Sequence, residues 1–241
     1  MKYLPLNPNR PWPIHSKQWI MRQDWLDAYF LNAVIDKSIL QKLLPVGLDL
    51  DLFEGEAYIS VIPFKMDKVC FRYLPFFKIK SFNQVNIRTY VIRDGKPGVF
   101  FLSLNSTHAG LKQIINSVCD IPIFSTSISR IDTDLKTQVD AGRENLSLYL
   151  NLSRTDKRIV PKLNSFEYWI CERYCFYNLH QGRMTRWDVD HIEWPIYAAK
   201  IHNLSFEESS NLAGLGLSKL DFSSCYYSPG VSTRAWGPRI E

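Results

Sequence analysis

A row of polar side chains with a two-residue period marks the part of this chain best equipped for chemistry. Residues 81–105 read SFNQVNIRTYVIRDGKPGVFFLSLN, and the first half alternates polar with apolar residues. Successive side chains of a β-strand point to opposite faces. One face of the predicted strand therefore carries two amides, a guanidinium and a phenol, from Gln84, Asn86, Arg88 and Tyr90. Such a strand either faces water or lines a polar cavity.

These two alternatives differ in what they imply for Arg88. In a cavity, its guanidinium is a bidentate anchor for a carboxylate or phosphate, and Gln84, Asn86 and Tyr90 orient the ligand. On a solvent-facing strand, the opposite face with Val85 and its neighbours packs into the core and no site exists. The alternation by itself leaves both interpretations open.

A second group of polar residues lies at the end of a predicted helix. Ser165 has the side chain of an N-cap, and the pattern predicts a helix through Tyr174. Glu172 or Arg173 can reach inward as a partner of Arg88 or of a ligand, and we add Glu172 and Tyr174 to the predicted ligand-binding residues. Adjacent helical residues face different directions, so Glu172 and Arg173 cannot both point to one site. Buried charges usually occur as satisfied pairs, which favours a structural ion pair over catalysis. The catalytic residues, if any, stay unassigned.

Other clusters of reactive residue types predict less. On a strand only two of Asp188, Asp190, His191 and Glu193 share a face, so the sequence predicts a solvated hairpin there and no metal site. Ser103, Ser106 and His108 lack the GxSxG pattern of a hydrolase. The five cysteines have no CxxC spacing and are expected to be reduced and mostly buried: Cys70, Cys119, Cys171, Cys175 and Cys225.

The elements that must position these residues are mostly strands. Asp94-Gly95 and Pro97-Gly98 mark the turn of the main hairpin. Helices are predicted at 37–44, capped by Asp36, and at 107–119. Further strands are predicted at 48–52 paired with 57–64, and at 123–132, 146–152, 175–179, 184–194, 198–204 and 231–236. We therefore expect an α+β, β-rich fold with a strongly curved or closed antiparallel sheet and a few flanking helices.

Length and composition bound the class of protein. The 241 residues, 46% of them apolar, fit one domain over 1–241, in which a proline-rich 1–20 forms an extended N-terminal arm. The net charge of +5 favours a small anion over nucleic acid. The segment 65–80 is predicted to be irregular, and it mixes basic and aromatic residues, as do nucleic-acid grooves and solvated loops. No signal peptide or membrane span is visible, so we expect a cytoplasmic protein without a membrane partner.

Several longer motifs carry a resemblance to a known family. The strings LLPVGLDLDLFEGEAYISVIPFKM, VNIRTYVIRDGKPGVFFLSL, ERYCFY, HIEWPI and SPGVSTRAW occur in this order between Leu43 and Trp236. They resemble the YqjF-like family of uncharacterised bacterial proteins. That family is similar in fold to acetoacetate decarboxylase, a barrel-like β protein with a polar central cavity.

The resemblance implies a fold and a cavity but argues against the decarboxylase reaction. The position of the Schiff-base lysine falls on Ile123 or Phe124, and neither side chain can form an imine. The nearest lysines, Lys112 and Lys136, lie outside the motif. Gln84 stands where YqjF-like sequences usually carry a glutamate, which replaces a proton-transfer group with an amide.

Three functional hypotheses follow, and none requires a cofactor. The first is binding of a small organic acid in a central barrel cavity without Schiff-base chemistry. The second is an enzyme doing acid–base chemistry on an oxo acid there, with Glu172 or a tyrosine moving the proton. The third is a nucleic-acid or protein interaction through 65–80. The ligand and the oligomeric state stay open.

Overall fold

The chain folds around one long, closed β-sheet. A computed structural model describes residues 6–14, 18–74, 76, 79–108, 110, 120–133, 136–142, 146–208, 212 and 214–241. The strands are β1 Met21–Ile35, β2 Asp49–Leu50, β3 Ala57–Phe71, β4 Phe82–Arg93, β5 Lys96–Ser106, β6 Ile123–Ser125, β7 Ser127–Asp132, β8 Lys136–Gly142, β9 Leu146–Ile159, β10 Cys175–His180, β11 Arg183–His191, β12 Ile196–Glu208 and β13 Ser224–Ile240. The helices among these residues are α1 Lys37–Gln41, α2 Phe166–Cys171 and a 3₁₀ turn at Leu217–Lys219.

Seven strands form a closed barrel. The neighbours run β1-β3-β4-β5-β10-β11-β13, and β13 pairs with β1 to close the ring. Every pairing in the ring is antiparallel except that of β5 with β10. From β13 the sheet continues outward through β12, β9, β8 and β7. The expected closed, mostly antiparallel sheet with few helices is confirmed.

Two large apolar cores result from this arrangement. The inner core lies on the barrel's inward face and includes Phe30, Phe64, Ile123, Ile170 and Trp194. The outer core lies between the barrel and the outer strands and includes Leu31, Ile87, Val139, Leu150 and Phe206. Because β4 contributes to both cores, neither of its faces meets solvent, and its alternation separates two buried environments.

The main hairpin is confirmed. β4 and β5 pair over their length around a turn at Asp94 and Gly95, which both have positive φ (48° and 68°). Two consecutive residues in this conformation are typical of the tight turns whose twist matches that of paired strands. The register between β4 and β5 shifts between Ile87 and Arg88, next to the predicted anchor.

Several predicted elements have different bounds or partners. β2 pairs with β4 and not with β3, so the predicted hairpin at 48–64 is wrong although Glu54 and Gly55 form a turn. α1 ends at Gln41 and α2 at Cys171, each three residues early. Residues 65–71, predicted to be irregular, extend β3. The helix predicted at 107–119 falls almost wholly outside the described residues.

A short N-terminal segment, residues 7–12, forms hydrogen bonds with side chains of β11. Asn7 donates its backbone N–H to Asp190 (3.3 Å) and its side-chain amide to the Tyr174 hydroxyl (2.7 Å). Arg10 and the Trp12 indole both donate to Oδ1 of Asp188 at 3.1 Å. The first described residues thus complete the hydrogen bonds of carboxylates that the barrel buries.

Candidate functional site

The barrel encloses a cavity of about 460 Å³. All seven ring strands contribute to its wall, which is mostly apolar. The wall has seven aromatic side chains: Trp25, Phe64, Phe71, Phe101, Phe176, Trp187 and Trp194. Its amide, guanidinium and imidazole groups come from Gln23, Gln84, Asn86, Arg88, Arg173 and His191. No Asp, Glu or Lys occurs among the described residues that line it.

Arg88 lies in this wall. Its Nη2 donates to the backbone carbonyl of Ile170 in α2 at 3.0 Å, and its guanidinium lies 5.5 Å from the ring centre of Tyr90 and 5.9 Å from that of Phe30. Its Nε is buried and has no hydrogen-bond partner among the described residues. No carboxylate of the described chain forms an ion pair with it. The positive charge of Arg88 is therefore uncompensated inside a largely apolar enclosure.

The two amides that precede Arg88 on β4 also line the cavity. Gln84 and Asn86 are 3% and 9% exposed, so the solvent-facing interpretation of this strand does not hold. Gln84 Oε1 and Asn86 Oδ1 are buried without a partner among the described residues. Buried polar groups are nearly always hydrogen-bonded in folded proteins. Three consecutive inward residues of one strand thus each leave a polar atom unpaired.

A second guanidinium, not included among the predicted ligand residues, reaches the wall from the end of α2. Arg173 donates Nε to the Trp169 carbonyl (2.6 Å) and Nη1 to Asp51, and its guanidinium lies over the Trp169 ring. Burial lowers its pKa, and the nearby Asp51 carboxylate opposes that shift. Nη2 has no partner among the described residues. Its position near the end of a predicted helix was the sequence signal, but its partner Asp51 lies 122 residues away in the sequence.

The other predicted ligand residues lie behind the wall. The Tyr90 hydroxyl is 2.6 Å from Ser60 Oγ, and Tyr90 is fully buried. Glu172 accepts a hydrogen bond from the Tyr174 hydroxyl (2.5 Å) and one from the Trp194 backbone (2.9 Å). None of Tyr90, Glu172 and Tyr174 is among the lining residues. Glu172 pairs with a phenol and a backbone amide instead of Arg88.

Burial raises the pKa of Tyr174 most, and the Glu172 carboxylate raises it further. The phenol is therefore a neutral donor at physiological pH. With Glu172 occupied by two donors, this pair stabilises the chain between α2 and β10. It offers no free proton-transfer group to the cavity.

The acidic cluster of β11 is buried, contrary to the predicted solvated hairpin. Asp188, Asp190 and His191 are each at most 3% exposed. Asp190 pairs with Arg234 at 2.8 Å, and Asp188 pairs with Arg10 at 3.1 Å. Both nitrogens of His191 lie within hydrogen-bond distance of backbone carbonyls, at 2.7 and 3.3 Å. No group of three or more ligand-type side chains within the described ranges is suited to a metal ion.

Four of the five cysteines fall in the described residues, and all four are free thiols. Cys171 and Cys175 line the cavity, and Cys225 belongs to the outer core. Burial raises the pKa of Cys175 to about 12 and that of Cys171 and Cys225 as well. A thiol that stays protonated is a poor nucleophile, which agrees with a packing role.

The two positions that the resemblance aligned with the Schiff-base lysine lie on β6. Ile123 is buried in the inner core and Phe124 is half-buried. The cavity persists beside them, with Ile121 in its wall. Lys136 is exposed at the start of β8. Lys112 lies outside the described residues.

The end of β3 and the residue Leu74 that follows it border one end of the cavity. Leu74 is 61% exposed and also lines the cavity, so the cavity approaches the surface there. Two of the cations of this segment have partners: Lys68 binds Asp24 at 2.8 Å, and Arg72 lies 5.3 Å from the ring centre of Trp19. Within the described part of the chain, no helix has the length and apolar character needed to cross a membrane.

This architecture is that of the acetoacetate decarboxylase-like barrels. Acetoacetate decarboxylase from Legionella pneumophila superposes with a TM-score of 0.69 at 10% identity, over 98% of this chain and 93% of that one. An acetoacetate decarboxylase-like enzyme from Sphingomonas wittichii RW1 gives 0.66 at 13% identity, over 93% and 94%. The enduracididine biosynthesis enzyme MppR complexed with pyruvate gives 0.66 at 13% identity, over 98% and 95%. At such identities these likenesses establish the fold alone.

The sequence comparison places the chain more narrowly. It belongs to the family DUF2071, described as an uncharacterized conserved protein, whose model matches residues 22–232. Uncharacterized protein YqjF from Bacillus subtilis (strain 168) is 30% identical over 210 residues, which cover 84% of this chain and 85% of YqjF. The resemblance seen in the sequence motifs is confirmed.

Proposed function

We propose that the barrel cavity binds a small organic acid, with Arg88 as the anchor of its carboxylate and Gln84 and Asn86 as orienting groups. One observation carries this proposal: the cavity wall includes an arginine without a carboxylate partner and has no acidic residue among its described members. Arg88 is partly buried, with its Nε fully buried. A cation in such a position without a counter-ion is costly, and an anionic ligand would remove that cost.

The chemistry of the anchor favours a carboxylate. Charge-assisted hydrogen bonds from guanidinium to carboxylate are among the strongest in proteins. Arg88 has an unpaired Nε, and Arg173 adds an unpaired Nη2 to the same wall. MppR, a protein of the same fold, has been solved in complex with pyruvate, and that carboxylic acid supports the choice of ligand class.

Schiff-base chemistry is not part of the proposal. No lysine occurs among the described lining residues, and Ile123 and Phe124 have hydrocarbon side chains. Treatment with borohydride in the presence of an oxo acid should therefore leave the protein's mass unchanged. A mass increase of one reduced adduct would contradict this part and direct attention to a lysine.

The anchor is tested by ligand binding to a matched pair of variants. Arg88→Met keeps the unbranched stem and removes the charge. Arg154→Met does the same to an arginine of β9 that also packs over an aromatic ring, at 4.6 Å from the Tyr227 centroid, but does not line the cavity. We expect monocarboxylates to raise the melting temperature of the parent and of Arg154→Met.

Arg88→Met should weaken acid binding at least about tenfold, since a hydrogen bond to a charged group contributes about 1.5–3 kcal/mol. Calorimetric titration of the folded variants measures this loss. If no oxo, hydroxy or simple monocarboxylic acid binds the parent, or if Arg88→Met binds as tightly, the proposed function is wrong.

A further inference from the structure

The apolar part of the cavity wall indicates the size and character of the ligand, which Arg88 alone does not. Nineteen of the 25 lining residues are hydrocarbon, aromatic, thioether or thiol side chains. The volume of about 460 Å³ lies within the range of about 300–1,000 Å³ that is typical of pockets for drug-sized ligands. An acid of three or four carbons would touch Arg88 and leave most of this wall uncovered.

The strand register shows how the polar and apolar parts are arranged. Arg88 pairs opposite Ser60, Gln84 pairs opposite Phe64, and β3 then continues toward Phe71. The Cα atoms of Arg88 and Gln84 are roughly 13 Å apart along an extended strand. Arg88 therefore lies toward the end covered by α2, and Gln84 lies nearer the end where Leu74 is exposed.

Beyond Gln84, one wall becomes wholly apolar. The β3 residues that line the cavity are Phe64, Met66, Val69 and Phe71, and Leu74 follows at the exposed edge. Trp25 of β1 faces the same region and packs edge-on against Phe64 at 6.3 Å between ring centres. The path from the Arg88 guanidinium to the surface is thus a polar stripe followed by a mostly apolar outlet, where Gln23 of β1 adds one amide.

We infer that the acid bound at Arg88 carries an extended apolar body, aliphatic or aromatic, that runs from the guanidinium toward Leu74. This inference rests on the proposed function and names the class of its ligand. The carboxylate lies at the covered end, the amides of Asn86 and Gln84 lie beside the proximal part, and the tail lies against the apolar residues of β3. Short oxo acids satisfy the anchor only.

A series of monocarboxylates tests the inference. Butyrate, hexanoate, octanoate and 4-phenylbutyrate are titrated into the parent protein by calorimetry, with 1-octanol as the uncharged comparison. Each methylene group buried against the wall should raise affinity about fourfold. Octanoate has four more methylene groups than butyrate, so we expect it to bind roughly 250-fold more tightly than butyrate, and more tightly than 1-octanol.

Two variants locate the tail. Phe71→Ser removes an apolar group near the outlet and should weaken octanoate severalfold while leaving butyrate unchanged. Val46→Ser, at a fully exposed position far from the lining residues, should change neither. Arg88→Met should weaken all acids by a similar factor and leave 1-octanol unaffected.

The outcomes separate the two proposals. Equal affinity for butyrate and octanoate, both dependent on Arg88, would overturn this inference and leave the acid-binding function intact. A chain-length dependence that Phe71→Ser leaves unaltered would also overturn it. Failure of every acid to bind, or binding of 1-octanol as tight as that of octanoate, would instead overturn the proposed function.

Discussion

Two guanidinium groups, of Arg88 and Arg173, line the covered end of the cavity, and only Arg173 has a counter-ion among the residues that the structure describes. The Arg173 side chain is 3% exposed and bonded to Asp51, whose side chain is 18% exposed. Arg88 has a backbone carbonyl and two aromatic rings as neighbours. The difference assigns the residues distinct roles: Arg173 is compensated by the protein, whereas Arg88 is left for a ligand.

Removal of the Asp51 carboxylate should therefore be costly. Asp51→Ala leaves the Arg173 cation buried without a counter-ion, and breaking such a pair typically costs about 3 kcal/mol. Lys68→Ala breaks an ion pair whose lysine side chain is 74% exposed and should have a much smaller effect, because solvent screens that pair. Urea unfolding of both variants measures the contrast. Similar losses in the two would show that Asp51 does not compensate a buried charge.

At the residue scale, local alternation placed Gln84, Asn86 and Arg88 on one face of a strand, but it left open whether that face points into a cavity or to solvent. The same pattern also grouped Tyr90 with them, but its hydroxyl is occupied by Ser60 from the neighbouring strand. The pairing of Arg173 with Asp51 joins residues that are 122 positions apart. Contacts of that kind depend on the closed barrel, so no local spacing could have predicted them.

Two glycines have backbone conformations with positive φ that this sheet requires. Gly95 has a φ of +68° in the β4–β5 turn, and a Cβ there would meet no atom within 4 Å. Gly230 has a φ of +124° where β13 crosses β1, and a Cβ there would lie 2.2 Å from the Trp25 carbonyl oxygen. The first position restricts conformation only, whereas the second restricts both conformation and space.

Alanine substitutions should separate these effects. Gly95→Ala should cost about 1 kcal/mol from its left-handed backbone. Gly230→Ala should cost about 3 kcal/mol or more, because strain adds to a clash with the backbone of β1. Gly142→Ala, with open space and no positive φ, should stay within about 0.5 kcal/mol of the parent. Thermal and urea unfolding give the order, and a Gly230 variant as stable as that of Gly142 would contradict the account.

Elements with strong local sequence signals were predicted well, whereas a strand whose pairing partner is distant in the sequence was not. Asp94-Gly95 and the alternation around it specify a hairpin without help from the rest of the chain. β2 has two residues and pairs with β4, while its neighbour in sequence, β3, pairs with β1 and β4. The local sequence of a strand does not specify which of two similar strands it pairs with, because that choice depends on the closed sheet.

Barrel closure explains why residues that look solvated in the sequence are buried. β11 reads as a charged strand, yet it lies between β10 and β13 and receives the N-terminal segment on Asp188 and Asp190. Likewise, both faces of β4 are buried because the outer strands cover the outside of the ring. The curved or closed sheet was expected from the pattern of strands, and its central cavity from the family resemblance, whereas the second core on the barrel's outer side was not expected.

The two cores share a class of titratable group that makes the whole molecule sensitive to alkaline pH. Cys171 and Cys175 face the cavity, Cys225 lies in the outer core, and burial raises the pKa of all three thiols, that of Cys175 from 9.0 to about 12. A pKa raised in the folded state stabilises the fold fully below the unfolded value. As the pH rises above that value, thiols of the unfolded chain ionise first and stability is lost.

We therefore expect the free energy of unfolding to fall steadily between about pH 9 and pH 10.5, by up to about 1.4 kcal/mol per pH unit for each of the three thiols. Urea titrations in the presence of reductant measure this slope. Cys225→Ala should make the slope shallower by up to about 1.4 kcal/mol per pH unit, because one contributing thiol is gone. Val139→Ala truncates the same outer core without removing a thiol, so it should lower stability at every pH and leave the slope unchanged. Equal slopes in the two variants would show that thiol burial does not control alkaline stability and that another group, such as a buried tyrosine, ionises first.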